Sequence, residues 1–308
     1  MLHVDCRESD VSESPKMKSF LRTLAEIPLR ITHWYLAVLA RWFPGVWYRW
    51  RDNLYSEIQS EYDQVLHTSP YGDVTLCFST PNSVCRYRSQ TFSSKEPETL
   101  EWIEQFGGEG AFFDVGANIG LYSIYYAKLF PGKVYAFEPS ALNMRLLVQN
   151  INANEVSEQV AVITNPLSAQ SEISQFLLSM AEEGGSMSTF GEDFGHDGSP
   201  LDVEMRYACL GLTLDSLLES KLITDFPTLM KIDVDGIEHL ILRGARLALA
   251  DVRLRSILIE VNSDFRELAE ETKEILSSCG FELQTASHAE MFEWGDFSNT
   301  YNQVWARE

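Results

Sequence analysis

The chain has 308 residues, 45% of them apolar, and a formal net charge of -21; that length allows one large domain with an appendage, or two domains. The charge is uneven: residues 16–51 hold seven lysines and arginines against one acid, a net of +6, residues 1–15 carry -3, and the remainder carries -24. A body that acidic repels a phosphate backbone, which excludes nucleic acid as an expected partner.

The five cysteines (Cys6, Cys77, Cys85, Cys209 and Cys279) are odd in number and form no Cys-x-x-Cys. Neither a disulfide framework nor a zinc site is indicated, and the pattern suits a reducing cytoplasm. The six histidines show no ligand spacing, so no metal is expected. The first fifteen residues are net acidic and give no secretory signal.

Residues 1–15 are polar and read as a disordered tail. Residues 16–95 read as an N-terminal amphipathic helical segment followed by short strands. Phe20, Leu24, Ile27, Ile31, Trp34, Val38 and Trp42 recur at spacings of three and four, a helical period. Pro28 is expected to break this helix and Pro44-Gly45 to end it. Trp34, Trp42, Trp47 and Trp50 crowd together among basic residues. Two readings stand. Residues 16–51 make peripheral contact with a membrane, whose headgroup zone suits Trp, Leu and basic charge, or the helix docks on the body. The apolar run Ile31–Ala40 contains His33 and is too short to span a bilayer. Strands are expected at Val74–Phe78 and Val84–Arg88 around a Pro81-Asn82-Ser83 turn. A helix follows at Lys95–Phe106, closed by Gly107-Gly108.

Residues 96–308 form the expected main domain. Strands at Ala111–Val115, Lys133–Glu138, Gln159–Thr164, Thr228–Ile232 and Arg255–Val261 alternate with helical runs at Leu121–Phe130, Leu142–Asn152 and Ile237–Ala250. This alternation predicts a doubly wound, mostly parallel sheet covered on both faces. A helix at Asp264–Ser278 and two late strands, Phe281–Ala286 and Asn302–Ala306, complete it, the strands as an antiparallel edge. Residues 181–200, rich in Gly, Ser and acids, read as a long mobile loop, a candidate lid.

Within this frame Phe113-Asp114-Val115-Gly116-Ala117-Asn118-Ile119-Gly120 reads as a strand, a tight glycine turn and a helix start. Glycine lets a backbone approach a ligand closely, and a helix start offers free N–H groups. The dinucleotide pattern Gly-x-Gly-x-x-Gly fails, because Asn118 and Leu121 occupy its second and third glycine positions. Asp-x-Gly-x-x-x-Gly suits S-adenosylmethionine, whose ammonium and sulfonium favour a carboxylate. Glu138 ends the next strand, where a carboxylate can accept both ribose hydroxyls.

Asp233 ends the fourth strand in Lys231-Ile232-Asp233-Val234-Asp235-Gly236-Ile237-Glu238. Asp235 and Glu238 stand between two roles, since Asp-x-x-Glu before an apolar helix is also a capping box. Glu260 ends the fifth strand. Asp233 is the first candidate general base, with Asp235 and Glu260 behind it.

These blocks, FFDVGANIGLYS at 112–123, VYAFEPS at 134–140, TLDSLL at 213–218, LMKIDVDGIEHLILRGA at 229–245 and ILIEVN at 257–262, resemble the FkbM family of S-adenosylmethionine-dependent methyltransferases across roughly residues 96–308. The family most often has glutamate where this chain has Asp235. The resemblance implies a class I, Rossmann-like methyltransferase fold whose seven-stranded sheet has its last strand antiparallel. It implies O-methylation, commonly of sugar or polyketide hydroxyls, so the expected partner is a small-molecule, glycan or glycolipid acceptor. By position, Asp114, Gly116, Asn118 and Gly120 would form the methionine-side loop, Glu138 would hold the ribose, and Ser168 would lie near the adenine. The alternatives are a protein or amine acceptor, and a catalytically silent S-adenosylmethionine-binding scaffold. Oligomeric state has no signal in the sequence.

Overall fold

The computed structural model describes residues 32, 34–38, 40–295 and 297–307. The expected tail at residues 1–15 and the periodicity before residue 32 lie outside the described residues. The chain divides into two compact units, one ending at Gln59 and the other beginning at Ser60. The boundary expected between residues 95 and 96 falls within the larger unit.

In the smaller unit residues 34–38 and 40–42 are helical, and after Phe43 comes helix α1 (Pro44–Gln59). The preceding helical residues end at Trp42, as expected before Pro44-Gly45, and Pro44 also starts the next helix. Proline is tolerated at the first helical position because its missing N–H would have no intrahelical partner there.

The larger unit opens with an antiparallel hairpin, β1 (Tyr62–Ser69) and β2 (Gly72–Ser79). The strand expected at Val84–Arg88 is instead helix α2 (Ser83–Gln90). Asn82 caps it, its Oδ1 accepting from the Cys85 N–H at 2.8 Å, so Pro81-Asn82-Ser83 is a helix-start signal and not a hairpin turn. Helices α3 (Phe92–Lys95) and α4 (Pro97–Phe106) follow.

The main sheet is built from β3 (Ala111–Val115), β4 (Val134–Phe137) and β5 (Val160–Ile163), then β9 (Pro227–Ile232), β10 (Ser256–Asn262), β11 (Glu282–Ser287) and β12 (Thr300–Ala306). Its order is β11-β12-β10-β9-β3-β4-β5. Strand β12 alone runs antiparallel, paired with β10 on one side and β11 on the other. This is the class I methyltransferase arrangement, but the antiparallel strand lies inside the sheet, not at the edge. The chain reverses direction across the sheet between β3 and β9, which places a crevice at their carboxyl ends.

Each strand feeds both faces because side chains alternate. Phe112, Leu229, Leu258 and Val304 enter one core layer with helices α5 (Leu121–Leu129) and α6 (Ala141–Ala153). Their neighbours Phe113, Met230, Ile257 and Trp305 enter the other. That second layer includes α7 (Leu214–Glu219), α8 (Glu238–Arg243), α9 (Arg246–Ala250) and α10 (Arg266–Ser278). The helix expected at Ile237–Ala250 is therefore two, broken at Gly244-Ala245.

A second sheet was not legible in the sequence pattern. Strands β6 (Glu172–Leu178), β7 (Ser188–Phe190) and β8 (Met205–Gly211) pair antiparallel in the order β7-β6-β8. The stretch expected as a loop, 181–200, supplies β7.

Candidate active site

The glycine turn after β3 is shaped first by the chain's own packing. Gly116 has φ +88°, and a Cβ there would lie 1.8 Å from the Asp233 carbonyl oxygen. Gly120 has φ +91°, and its Cβ would lie 2.5 Å from Leu147 Cδ1. Both positions need glycine for backbone conformation and for the close approach of neighbouring protein atoms.

Asp114 is buried at the end of β3 and is a register partner of Lys231 on β9. Its Oδ2 accepts from the Ser123 hydroxyl at 2.6 Å, while Oδ1 has no partner. Burial pushes the Asp114 carboxyl up, against the pull of Lys231 and Ser123. Lys231 is itself buried, and its Nζ donates to Asp233 Oδ2 at 2.5 Å. It also lies 5.1 Å from the centre of the Tyr122 ring. Burial disfavours the lysine's charge, but Asp233, Glu96 and Asp114 together outweigh this and raise its pKa. Burial likewise pushes Glu96 up, yet Lys95, bonded at 2.6 Å, and Lys231 bring it down to about 2. The strand ends thus hold a buried charge network centred on one ammonium.

Glu138 follows β4. Its Oε2 accepts from the Asn118 N–H at 2.7 Å and its Oε1 from the Ser140 N–H at 2.8 Å. Burial pushes its carboxyl up to about 8. When ionised, each oxygen keeps a lone pair for a hydroxyl donor, and Glu138 lines a narrow cleft of about 60 Å³ with Pro139, Pro166 and Leu167. A strap at residues 183–188 is fastened beside it. Asn118 Nδ2 and Asn143 Nδ2 donate to the Gly185 carbonyl at 2.8 and 3.0 Å, and Arg88 Nε donates to the Gly184 carbonyl at 2.7 Å. Arg145 pairs with Glu183. The segment read as a mobile lid is, in this part, tied to two helices, α2 and α6, and the glycine turn.

Asp235 sits at φ +62°. Its Oδ2 accepts from the Met187 and Ser188 N–H groups at 2.7 and 3.2 Å, so it fastens the strap and does not cap α8. Glu238, by contrast, does act as a helix-start acceptor, taking the Val234 N–H at 3.0 Å and the Gly236 N–H. Burial raises it to about 7. Burial, reinforced by Asp233, Asp235 and Glu238, holds the Glu260 carboxyl well above its ordinary range.

Asp233, Asp235 and Glu260 meet in one cavity of about 500 Å³. Its walls come from α2, α3 and their flanks (Tyr87, Arg88, Phe92, Lys95, Glu96), from Met180 and Met187, and from His288, Phe292, Phe297 and Asn302 near the C-terminus. Gly116, Asn118, Ser186, Asp233 and Asp235 line both this cavity and the Glu138 cleft. The two spaces share one wall.

The structure therefore brings together Gly116, Asn118, Glu138, Asp233, Asp235 and Glu260. Asp114 and Gly120 stand behind the turn and line neither space, and Ser168 also lines neither, its N–H donating to the Leu212 carbonyl at 2.9 Å. Lys231 was visible in its motif without an assigned role. Glu96 and Asn143 carried no motif at all. Apart from this region, His239, Glu267 and Glu271 bring possible metal-ligand atoms within 4.8 Å of one another. Arg243 already binds Glu271 through two bonds of 2.5 and 2.6 Å.

Comparison with solved structures finds methyltransferases at low identity. A methyltransferase FkbM from Methylobacillus flagellatus KT is 15% identical, with a TM-score of 0.47, and the match covers 74% of this chain and 54% of that one. The chain thus spans about half the length of that relative. Aeropyrum pernix fibrillarin, solved with natively bound S-adenosyl-L-methionine, is 13% identical over 65% of this chain and 67% of its own, with a TM-score of 0.39. No curated protein matches the sequence. The model of the methyltransferase FkbM domain matches residues 114–283, from the buried Asp114 through the Asp233 strand end to β11. That match covers more than half of the chain, which belongs to the FkbM methyltransferase family.

Proposed function

We propose that the chain binds S-adenosylmethionine along the Glu138 cleft and the glycine turn, and O-methylates a hydroxyl of an uncharged sugar, glycolipid or polyketide-like small molecule held in the 500 Å³ cavity. The observation that carries this reading is the shared wall. Gly116, Asn118 and Asp233 border both a cleft suited to a polyhydroxyl ligand and a cavity large enough for a separate acceptor.

The residues present fit the cofactor. Glu138 offers lone pairs to ribose hydroxyls, Asn118 and Gly116 border the same space, and the surrounding acids suit a cationic ligand. When bound, S-adenosylmethionine supplies a methyl group already activated on a sulfonium. The protein's work is then mainly positioning, together with removal of the acceptor's hydroxyl proton. Asp233 lies in the shared wall, and Lys231 fixes its Oδ2, leaving Oδ1 to take that proton. Glu260 lines the large cavity beside Asp233 and Asp235 but not the cleft, and is a second proton acceptor once its raised carboxyl is ionised.

The acceptor cavity carries Glu96, Glu98, Asp233, Asp235 and Glu260 against Arg88, Lys95 and Lys231. That excess of acid disfavours a phosphorylated acceptor. Carboxylates and aromatic rings suit hydroxyls and sugar faces. The same acidic floor would also hold an ammonium, so an amine acceptor is the alternative.

The test has two steps. Calorimetry should first show S-adenosylmethionine binding to the purified protein. Labelled methyl transfer to glycan, glycolipid and amine fractions should then show product methylated on oxygen. Product on nitrogen would replace the hydroxyl reading, and binding without transfer to any fraction would favour the silent scaffold.

A further inference from the structure

The smaller unit exposes an aromatic surface that a soluble helix does not require. Trp34, Tyr35, Trp42, Phe43, Tyr48 and Trp50 are all exposed, Trp34 at 68% and Trp42 at 73%. Helix α1 has no buried residue at all. Its apolar side chains are nonetheless ordered along one face. Val46, Trp50, Leu54 and Ile58 recur every four residues, with Trp47 beside Trp50 at a ring distance of 5.6 Å. Arg49, Asp52 and Ser56 fall on the other side at spacings of three and four, while Glu57 is the one acid within the apolar stripe. The preceding helical residues 34–38 and 40–42 are apolar except for Arg41. Among the described residues no helix is long and apolar enough to cross a membrane.

The residue types select among occupants. Tryptophan and tyrosine pair an apolar ring with a polar edge, which suits the boundary between headgroups and acyl chains. The charge points the same way. Residues 34–59 hold Arg41, Arg49 and Arg51 against Asp52 and Glu57, a net of +1, and residues 16–33 of the sequence add +3, within a chain of net -21. An anionic surface therefore attracts this segment and repels the remainder of the chain. A second copy of the chain would have to bring together two segments of the same positive sign.

We propose that residues 34–59 form an interfacial anchor that lies on an anionic lipid bilayer, with the Trp42, Trp50, Leu54 and Ile58 side chains entering the headgroup boundary and Arg41, Arg49 and Arg51 binding lipid phosphates or carboxylates. This surface is independent of the methyl-transfer reading.

Flotation of the full chain with vesicles tests it. Vesicles of phosphatidylcholine containing phosphatidylserine should carry the protein upward, with weaker binding to phosphatidylcholine alone and loss of the difference at high salt. Trp42→Ser with Trp50→Ser should lower the bound fraction on the order of tenfold. Arg41→Glu, Arg49→Glu and Arg51→Glu together should remove the preference for anionic vesicles. These side chains are exposed, so an unchanged melting temperature is expected and verifies folding. No flotation of the native chain would overturn the proposal, as would flotation that neither set of substitutions alters. Self-association that the tryptophan substitutions abolish, without vesicle binding, would overturn it in favour of a second copy.

Discussion

Lys231 and Asp233 form an ion pair of 2.5 Å in which the lysine is 1% exposed and the aspartate opens onto the cavity. A buried ammonium is tolerable only if nearby carboxylates outweigh its lost hydration. Asp114, Asp233 and Glu96 do so. Removing the lysine leaves Asp114 and Asp233 facing one another without their shared cation, while Glu96 keeps Lys95. Lys231→Met is expected to destabilise the protein by roughly 3–5 kcal/mol and to lower the melting temperature by roughly 10 °C. An unchanged melting curve would remove Lys231 from the centre of this network.

Asp233→Asn separates chemistry from binding. Asparagine keeps an acceptor for Lys231 but takes up a proton poorly. Methyl transfer should fall by roughly 10²–10⁴-fold, with S-adenosylmethionine affinity nearly unchanged by calorimetry. Glu260→Gln should cost less, because Glu260 lies away from the shared wall. If Glu260→Gln abolishes turnover while Asp233→Asn does not, the proton acceptor is Glu260.

The parallel sheet was legible because its strands are short apolar runs divided by helical periods. Phe112 and Phe113 show why: adjacent phenylalanines serve opposite faces of a sheet buried on both sides. The small antiparallel sheet was harder. In β8, Tyr207, Cys209 and Gly211 face inward while Arg206, Ala208 and Leu210 are exposed, an alternation blurred by the exposed leucine. Helix α2 was misread because Pro-Asn-Ser signals both turns and helix starts. Asp233 and Glu138 could be found from strand-end logic, whereas Glu96 could not. It reaches Lys231 only through tertiary folding, across more than a hundred residues of chain.

Gly116→Ala tests whether packing alone demands that glycine. The substitution would set a Cβ against the Asp233 carbonyl at 1.8 Å and hold a non-glycine residue at φ +88°. Backbone would have to move on both β3 and β9. We expect a destabilisation of about 3 kcal/mol or more, seen in denaturant unfolding without any ligand. A variant that is stable but fails to bind S-adenosylmethionine would assign the glycine to the ligand instead.

Stability should fall as pH rises from about 4.5 to about 8. Burial raises Glu138 to about 8 and Glu238 to about 7, above the roughly 4.3 of an unfolded glutamate. Between those limits the folded chain retains protons that the unfolded chain has lost, so each group penalises folding as pH climbs, by about 1.4 kcal/mol per pH unit at most. Glu96 acts oppositely. Held down to about 2, it contributes stability above its unfolded value and loses it as pH falls toward 2. The denaturant midpoint should therefore peak near pH 5 for the ligand-free protein. Glu138→Gln should flatten the alkaline slope whatever its effect on absolute stability. A slope unchanged by that substitution would mean that Glu138 is ionised in the folded state.

Asp235 is where a shorter acid meets a specific local need. Its carboxylate binds two successive N–H groups of the strap, Met187 and Ser188, from a backbone position of φ +62°. Asparagine tolerates that backbone and retains one acceptor oxygen. Alanine retains neither advantage. Asp235→Ala should release residues 183–190 locally, giving faster amide exchange at Met187 and Ser188 and easier proteolysis there, while the main sheet keeps its protection. Asp235→Asn should fall between that variant and the native chain. If Asp235 were instead the proton acceptor, both substitutions would abolish turnover equally while leaving the strap's exchange unchanged. A graded exchange response, tracked by a graded loss of S-adenosylmethionine affinity, would identify its work as holding the strap against the shared wall.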